Sequence, residues 1–343
     1  MKLQSARELK AALREAILEG MADTLRRQGV LVTAASRAVG RPAPVARTLA
    51  LGIARGRGSD YRLAVRIQRR GLEASAPLEA IRARARGEVD VRYVGRIATQ
   101  ARRKARAAAP EPPWEQGRTR PLLIGASIGH YRITAGTLGG FVVLRKGGML
   151  RALSNNHVLA DEDRGKKGDA ILQPGAYDGG LPAKDRVGSL AQAVKLKPRG
   201  INRVDAALCS VDGPVGYDPR TLRGVGTLGG LAQAPIEETR SVEKIGRTTG
   251  HTRGRVTAFE LDNVVVAYDM GNLRFDDQIE VEGEGAAFSQ GGDSGSLVFT
   301  AEDNRAFGLL FAGSDQGGSD GTGLTYVNAI GRVLSQLKAD ILA

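Results

Sequence analysis

The sequence has a single cysteine, Cys209, among its 343 residues, so an internal disulfide is excluded. No apolar run reaches the roughly 18 residues of a transmembrane helix, and the charged N-terminus lacks the pattern of a secretory signal peptide. These absences predict a cytoplasmic protein without a membrane span. Aromatic residues make up 4% of the chain, whereas glycine occurs 46 times, a composition typical of a globular protein rich in turns.

Histidine is also scarce, occurring only as His130, His157 and His251. These residues lie far apart in the sequence, and a single cysteine gives no paired ligand spacing. The sequence therefore predicts no metal site and no other cofactor.

Positive charge is concentrated in the first third of the chain. Residues 1–120 contain 26 Lys and Arg against 11 Asp and Glu, whereas residues 121–343 contain 24 against 26. A basic surface can bind nucleic acid, anionic lipid or an acidic protein. The arginines are scattered among alanines without interleaved aromatics or a nucleic-acid-binding motif, which favours solvated surface charge over nucleic-acid binding.

The first 29 residues are predicted to form one helix. Ser5 and Glu8 have the spacing of a capping box, and Gly29 is placed to end the helix. An apolar stripe repeats every four residues, at Leu9, Leu13, Ile17, Met21 and Leu25. The stripe must be buried against the same fold or against another copy, and a helix docked within the fold is the simpler expectation.

A small α+β domain is predicted for residues 1–98. Its expected elements after the first helix are strands at 48–54, 60–68 and 88–97 and a short helix at 75–86. The glycine-rich turn at 52–60 lacks the lysine spacing of a phosphate-binding loop and lies between two strands, which predicts a hairpin turn. A basic run with three prolines then predicts a linker at residues 99–120.

Residues 121–343 are predicted to form an all-β domain. Short strand-like runs alternate with clusters of Gly, Asp and Pro, as they do in sandwiches and barrels. The last stretch, residues 329–343, has helical spacing and is expected to lie against the barrel as a terminal helix.

The strongest chemical motif is FSQGGDSGSLVF at residues 288–299, where Ser294 lies in a glycine turn before an apolar strand. Attack by a serine hydroxyl on a carbonyl creates an oxyanion, and two backbone N–H groups must reach it through an unobstructed turn. Gly292 and Ser294 are placed to supply these donors. The motif predicts that Ser294 is a nucleophile.

A serine nucleophile needs a base. His157 lies in LSNNHVLA, where an apolar strand runs into a polar turn and small residues surround the ring. This setting suits an imidazole at the edge of a cleft. His130 and His251 lie in glycine-flanked turns, as ordinary surface histidines do, so we predict that His157 is the base.

The base in turn needs a buried carboxylate to orient it. Asp205 begins an otherwise apolar strand in NRVDAALCSV, where an unpaired charge would be costly to bury. Asp161, Asp163 and Asp212 are not excluded by spacing alone. We predict that Asp205 is the third member of the triad.

The order His157, Asp205, Ser294, in the segments SNNHVLA, VDAAL and GGDSGS, resembles that of the trypsin-like, chymotrypsin-fold serine proteases. The resemblance covers residues 121–335. It implies an all-β double β-barrel protease domain, preceded here by the small α+β N-terminal domain. His157 and Asp205 would lie on the first barrel and Ser294 on the second, with the triad in the cleft between them.

A narrower resemblance concerns GASIGHYRITAGTLGGFVV and LSNNHVLA, which are similar to intracellular bacterial trypsin-like proteins related to the plant narrow-leaf proteases. Those proteins form homo-oligomers, which implies that this chain also oligomerises. In secreted family members a new N-terminus pairs with the aspartate beside the nucleophile, here Asp293. Since no activating cleavage sequence precedes the barrel, we expect Asp293 to pair with an internal basic group, or an activating partner to order the oxyanion loop.

The same resemblance places the floor of the substrate pocket near Phe288 and its walls near Gly313 and Gly323. No acidic residue that would select Lys or Arg is evident there, which predicts small or apolar residues before the scissile bond. Asp315 or Asp320 would reverse this preference if either side chain entered the pocket.

The predicted function is a serine endopeptidase that cleaves a protein or peptide substrate through an acyl-enzyme. A regulated role, for instance in a bacterial stress or antiphage response, and general protein turnover both fit the sequence. The alternative is a catalytically silent trypsin-like scaffold whose basic N-terminal domain binds a partner. The complete set of triad residues favours the enzyme.

Overall fold

The computed structural model describes residues 1–14, 49–99, 112–319 and 321–343. The helices in this part are α1 (Leu3–Leu13), α2 (Ala76–Arg84), α3 (Asn156–Leu159), α4 (Pro182–Asp185) and α5 (Ile330–Leu337). Short 3-10 helices lie at Arg70–Leu72, Trp114–Gln116, Ala176–Asp178 and Gly213–Val215. Within these residues no helix has the length and apolarity to cross a membrane.

Strands make up most of the regular structure. The first twelve are β1 (Leu49–Arg55), β2 (Tyr61–Ile67), β3 (Val89–Tyr93), β4 (Ile97–Ala98), β5 (Leu122–Leu123), β6 (Ser127–His130), β7 (Gly136–Thr137), β8 (Gly140–Leu144), β9 (Leu150–Ser154), β10 (Ala170–Leu172), β11 (Arg186–Ala193) and β12 (Ile201–Asn202). The next seven are β13 (Ala207–Cys209), β14 (Tyr217–Asp218), β15 (Thr221–Leu222), β16 (Gly226–Thr227), β17 (Ser241–Gly246), β18 (Gly250–Asp262) and β19 (Val264–Tyr268). The last six are β20 (Gly271–Phe275), β21 (Gln278–Gly283), β22 (Leu297–Thr300), β23 (Ala306–Ser314), β24 (Thr325–Ala329) and β25 (Ala339–Leu342).

Six strands of the C-terminal half close into a barrel. The hydrogen-bonded order around the ring is β17, β18, β21, β24, β23, β22 and β17 again, and every pair is antiparallel. Buried apolar side chains such as Val256, Val281 and Val298 belong to one cluster of this ring. Each of the six strands therefore has two neighbours within the ring, which closes the barrel.

A second sheet forms a half-barrel, with the strand order β25, β8, β9, β13, β11, β10, β6, β7. Phe141, Leu153 and Leu208 are fully buried in the core on which it packs. The half-barrel and the closed barrel confirm the predicted all-β double-barrel fold class.

The N-terminal strands extend the sheet of the closed barrel. Strand β1 pairs with β18 and β2, and β3 lies parallel to β2 after the crossover through α2. The first two predicted strands and the helix at 75–86 are therefore present, and the turn at 52–60 is a hairpin, as expected. The strand predicted at 88–97 is instead two strands, β3 (Val89–Tyr93) and β4 (Ile97–Ala98). The predicted boundaries of a separate N-terminal domain and of the linker stay predictions, and most of the linker lies outside the described residues.

Ion pairs join this N-terminal sheet to the barrel. The guanidinium of Arg66 on β2 is fully buried, and its Nε and Nη2 donate to the two carboxylate oxygens of Glu280 on β21, at 2.7 and 2.8 Å. Breaking a buried pair by removing one partner leaves an uncompensated charge. We therefore expect β2 and β21 to stay together in the folded protein.

Helix α1 differs from its prediction at its start. The residue before its first turn is Lys2, so Ser5 does not cap the helix, and Glu8 instead accepts a hydrogen bond from Gln4. The helix docks within the fold as expected: Leu13 is fully buried, which contributes roughly 1.5–3 kcal/mol. Ile17, Met21, Leu25 and Gly29 lie outside the described residues.

The C-terminal end also differs from its prediction. Helix α5 ends at Leu337, because Lys338 adopts a left-handed conformation with φ 54° and ψ 47°. The remaining residues then pair with β8 as strand β25. The expected terminal helix is therefore a helix followed by a strand, and the strand carries the chain back to the half-barrel.

Candidate active site

His157 and Asp205 are brought together by the register of the half-barrel. His157 lies in α3, directly after β9, and Asp205 lies just before β13. Because β9 and β13 are antiparallel with Ser154 opposite Ala207, the residues beyond these strand ends meet. The distance from His157 Nδ1 to Asp205 Oδ2 is 2.6 Å, and both side chains are buried.

The Asp205 carboxylate accepts further hydrogen bonds. Its Oδ1 lies 2.6 Å from the backbone nitrogen of Asn156 and 3.3 Å from that of His157, and its Oδ2 lies 2.6 Å from the hydroxyl of Tyr268. These contacts hold the carboxylate in place, and a carboxylate held against His157 orients the imidazole.

Ser294 lies in the turn between β21 and β22, on the closed barrel. Gly292 and Gly295 flank it with φ of +100° and +94°. A Cβ at Gly292 would lie 2.4 Å from Thr248 Oγ1, and one at Gly295 would lie 2.1 Å from Ser154 Oγ. The turn therefore requires glycine at both positions.

The serine turn packs against the segment that carries His157. Gly295 adjoins Ser154, as noted, and a Cβ at Gly136 would lie 2.5 Å from Val158 Cγ2 and 2.9 Å from the carbonyl oxygen of Ser294. The Thr137 amide donates to that carbonyl at 2.8 Å. The serine turn thus lies beside the segment that carries His157, and the Ser294 hydroxyl lies 3.5 Å from the carbonyl oxygen of Phe311. Within the described residues, His157 Nε2 is buried and has no hydrogen-bond partner.

Along the serine turn, backbone amides that donate a hydrogen bond alternate with amides that do not. Those of Asp293 and Gly295 donate to the carbonyls of Gln290 and Leu310, at 3.0 and 2.9 Å. Among the described residues, the amides of Gly292 and Ser294 make no such bond. Two unengaged amides one residue apart are what a developing oxyanion requires.

Asp293, the neighbour of Ser294, is fully buried and holds the turn. Its Oδ1 accepts a bond from the Thr248 amide at 2.8 Å, and its Oδ2 accepts one from Thr249 Oγ1 at 2.8 Å. The ammonium of Lys244, also fully buried, lies 3.7 Å from Oδ2. Burial lowers the pKa of Lys244, and the charge of Asp293 opposes this effect. The internal basic group expected for Asp293 is Lys244.

The predicted pocket residues Phe288, Gly313 and Gly323 lie in or beside the strands of the closed barrel. Phe288 is buried, and its carbonyl accepts a bond from Thr252 Oγ1 at 2.8 Å. Gly313 lies on β23 opposite Ala98 of β4, and Gly323 has φ +89° just before β24. The pocket and its selectivity stay predictions. Asp320 lies outside the described residues.

The other candidate residues have partners of their own. His130 Nε2 lies 3.0 Å from Asp169, and His251 Nε2 lies 2.8 Å from Glu243. The alternative carboxylates are also engaged: Asp161 with Arg164, Asp163 with Asn156 and Asp212 with Arg186. Asp205 is the carboxylate that meets His157.

Two residues of the site were not found from the sequence. Tyr268 and Lys244 lie 63 and 49 residues from the carboxylates they contact, and each stands in an ordinary strand pattern. Across the described ranges, no group of three His, Cys, Asp or Glu is arranged to hold a metal ion.

Comparison with protein families gives one match, over residues 195–342, to a model described as the Nal1 C-terminal domain. Among curated proteins, the chain is 30% identical over 242 residues, 61% of its length, to Protein NARROW LEAF 1 of Oryza sativa subsp. japonica. The match spans 40% of that relative's own length. The expected similarity to narrow-leaf proteins is thereby confirmed, while the bacterial intracellular type stays a prediction.

Solved structures similar to the chain include serine proteases. Thermobifida fusca Protease A is 17% identical, with 65% of this chain and 98% of that chain covered and a TM-score of 0.45. Cellulomonas bogoriensis chymotrypsin is 18% identical, with 64% and 98% covered and a TM-score of 0.44. A glutamic acid-specific serine protease is 20% identical, with 64% and 100% covered and a TM-score of 0.45.

Proposed function

We propose that this chain is a serine endopeptidase with the triad His157, Asp205 and Ser294. The observation that carries the proposal is the buried His157–Asp205 pair, at 2.6 Å, in a segment that lies beside the glycine-flanked turn of Ser294, whose amides at Gly292 and Ser294 are unengaged. Nucleophile, base, orienting carboxylate and oxyanion donors are the four parts that acyl transfer needs.

The reaction would proceed in two halves. Ser294 Oγ attacks the peptide carbonyl while His157 Nε2 takes its proton, and the amides of Gly292 and Ser294 hold the oxyanion. His157 then gives the proton to the leaving amine, which leaves an acyl-enzyme on Ser294. Water, deprotonated by His157, attacks this ester and releases the acid. Asp205 stays ionised throughout and stabilises the imidazolium.

The remaining parts of the proposal concern the biological setting. We propose a regulated cytoplasmic protease that cleaves a specific protein, assembles with further copies and answers to an activating partner. The single buried cysteine supports a reducing compartment. The burial of Ser294, which is 1% exposed, supports regulation, because a substrate must reach the nucleophile.

A fluorophosphonate probe tests the activity, because it reacts with a serine only when base and oxyanion donors are in place. We expect mass spectrometry to find the label on Ser294, no label in Ser294→Ala, and strongly slowed labelling in His157→Ala. A label on another residue, or equal labelling of Ser294→Ala, would contradict the proposed nucleophile. A silent scaffold predicts that Ser294 stays unlabelled even in a variant whose position 294 is shown to be accessible.

A further inference from the structure

Tyr268 contacts the triad directly. Its hydroxyl lies 2.6 Å from Asp205 Oδ2, the same oxygen that faces His157 Nδ1, and its ring meets the imidazole edge-on with 6.0 Å between centroids. The Asp205 carboxylate therefore faces two donors at one oxygen. The further charged group near Tyr268 is Glu162, which accepts bonds from the amides of Asp269 and Met270.

The tyrosine is held rigidly in this position. Its ring stacks on Phe275 at 5.9 Å, and Phe275 packs on Phe311, whose carbonyl lies 3.5 Å from Ser294 Oγ. Burial, together with the Asp205 carboxylate, raises the pKa of the Tyr268 phenol well above its usual value. The hydroxyl is therefore a donor at every pH at which the protein would work.

We infer that Tyr268 is a positioning residue of the proposed active site, which acts on His157 through Asp205. The hydroxyl holds the same carboxylate oxygen that faces the imidazole and takes up part of its negative charge. Removing the hydroxyl takes away one of the two contacts at Oδ2 and leaves that of His157 Nδ1, while the amides of Asn156 and His157 still donate to Oδ1. This inference rests on the proposed triad for its catalytic consequence but not for its geometry.

The test uses Tyr268→Phe in the full chain and the proton NMR resonance of His157 Nδ1–H. The protein has three histidines, so His130 and His251 serve as references in the same spectrum. We expect the His157 resonance to move by about 0.5 ppm or more in Tyr268→Phe and the other two to stay in place, because a stronger, more charge-assisted bond deshields its proton. An unchanged His157 resonance would overturn the inference.

A matched variant and kinetic measurements distinguish the proposed positioning role of Tyr268 from a purely structural one. Tyr326→Phe removes an equally buried hydroxyl, whose charged neighbours are Glu280 and Arg66, and should leave the His157 resonance in place. In an activity assay, Tyr268→Phe should lower kcat about tenfold with little change in KM, and the loss should vanish in an Asp205→Asn background. A loss that persists in that background would contradict action through Asp205.

A second, independent observation concerns β4. Peptides commonly bind proteins as an added strand on a sheet edge. The edge nearest the nucleophile belongs to β23, since the carbonyl of Phe311 on that strand lies 3.5 Å from Ser294 Oγ. Two and three residues further along the same strand, Gly313 and Ser314 are already paired, antiparallel, with Ala98 and Ile97.

Strand β4 is hydrogen-bonded along both of its edges. Its second edge pairs in parallel with β19, with Ile97 opposite Val266, and the amide of Thr99 donates to the carbonyl of Ala267 at 3.3 Å. Ile97 is 1% exposed. The site beside it is closed as well, because Ser294 and His157 are 1% and 3% exposed.

The geometry points to Ile97–Thr99 as an internal occupant of the edge on which an extended peptide substrate would bind. The chain would then be latent in this state, and substrate would reach Ser294 only when these residues leave β23. This inference deepens the proposed function, on which it rests for the identity of the substrate. A strand of two residues makes few hydrogen bonds, so its displacement by a peptide or a partner is within reach of ordinary binding energies.

Access to position 294 can be measured without catalysis. In Ser294→Cys, alkylation by iodoacetamide reports access, and Cys209, which is fully buried, is an internal reference for unfolding. Adding Ala98→Pro removes an amide from a strand that is paired on both edges. We expect alkylation at position 294 to become at least about tenfold faster while Cys209 stays protected. The reason is that the open state is a minor species in the chain without Ala98→Pro, and the substitution raises its population. An equal rate at position 294 would overturn the inference.

Two further variants keep the test decisive. If Ala98→Pro exposes Cys209, Thr99→Pro is used in its place. Thr99→Pro is the milder change, because it removes only the hydrogen bond from the Thr99 amide to the carbonyl of Ala267. Thr227→Pro in β16, a two-residue strand in a separate sheet, is the matched control and should not alter alkylation. Fast alkylation in Ser294→Cys with Ala98→Pro, combined with no fluorophosphonate labelling of Ala98→Pro that retains Ser294, would contradict the proposed protease activity. It would still support the occlusion of the site by Ile97–Thr99.

Discussion

The two halves of the candidate site are positioned by different means. His157 and Asp205 meet because β9 and β13 pair in a fixed register, so their arrangement depends on contacts between residues about 50 positions apart. Ser294 is placed by a short turn in which Gly292 and Gly295 adopt conformations that L side chains rarely tolerate. The histidine half should therefore be sensitive to changes in hydrogen bonding, and the serine half to added volume.

The largest effect is expected from Asp205→Asn, which keeps the shape of the side chain and removes its charge. The amide cannot stabilise an imidazolium, and it favours the wrong tautomer of His157. We expect the rate of substrate hydrolysis to fall about 10⁴-fold with little change in the melting temperature. The measurement is kcat on a peptide substrate.

The control for this change is the other aspartate–histidine pair of the half-barrel, in which the histidine is buried and the aspartate is partly exposed. Asp169 lies 3.0 Å from His130, and Asp169→Asn should change kcat less than about threefold. A loss in Asp205→Asn no larger than that in Asp169→Asn would mean that the pair does not act in catalysis.

A smaller free-energy change should follow from Gly295→Ala in the serine half. The new Cβ would lie 2.1 Å from Ser154 Oγ and 2.4 Å from the carbonyl of Thr137, at φ +94°. We expect the free energy of unfolding to drop by roughly 2–4 kcal/mol. Urea denaturation measures this change.

Gly285→Ala isolates the backbone contribution. Gly285 has φ +75° with open space around its Cβ position, so it carries the conformational cost without the collision. Its loss should be about 1 kcal/mol. If the two variants were equally stable, steric closeness to the histidine segment would not be what fixes the serine turn.

The smallest effect is expected at Glu282 on β21, away from both halves. Burial raises the pKa of its carboxyl, but hydrogen bonds from Ser319 and the charge of Arg92 outweigh burial and lower the pKa from an ordinary 4.5 to about 2. Such a group stabilises the fold above pH 4.5, and this contribution is lost as the pH falls to about 2. Glu282→Gln should lower the free energy of unfolding at pH 7 by about 1–3 kcal/mol and flatten its dependence on pH in that window. A variant with the wild-type pH profile would contradict this assignment.

Features encoded locally could be predicted from the sequence. Ser294 follows from a glycine turn before an apolar strand, and Asp205 from a carboxylate at the start of another. The hairpin at 52–60 follows from its glycines between two β patterns. For Ser294 and the hairpin, neighbouring residues create the physical requirement, whereas the choice of Asp205 over Asp161, Asp163 and Asp212 also depends on the pairing of β9 with β13.

Features that depend on distant contacts could not be predicted in this way. A phenol on a strand has the same pattern whether or not it reaches Asp205, so Tyr268 was missed. The separation of β4 from β3 inside the predicted strand at 88–97 was also missed, because the partners of β4 lie on the distant strands β19 and β23. The strand after Lys338 was predicted as helix because helical spacing continues through a residue that turns left-handed.

Peptide hydrolysis by Ala98→Pro tests whether this chain has an assembled protease site that its own residues cover. A peptide library would be incubated with the wild type, with Ala98→Pro and with Ala98→Pro/Ser294→Ala, and new termini would be identified by mass spectrometry. We expect faster cleavage by Ala98→Pro than by the wild type and none by the double variant. Cleavage that survives in the double variant, or no cleavage by Ala98→Pro although position 294 is exposed, would rule out a covered protease site.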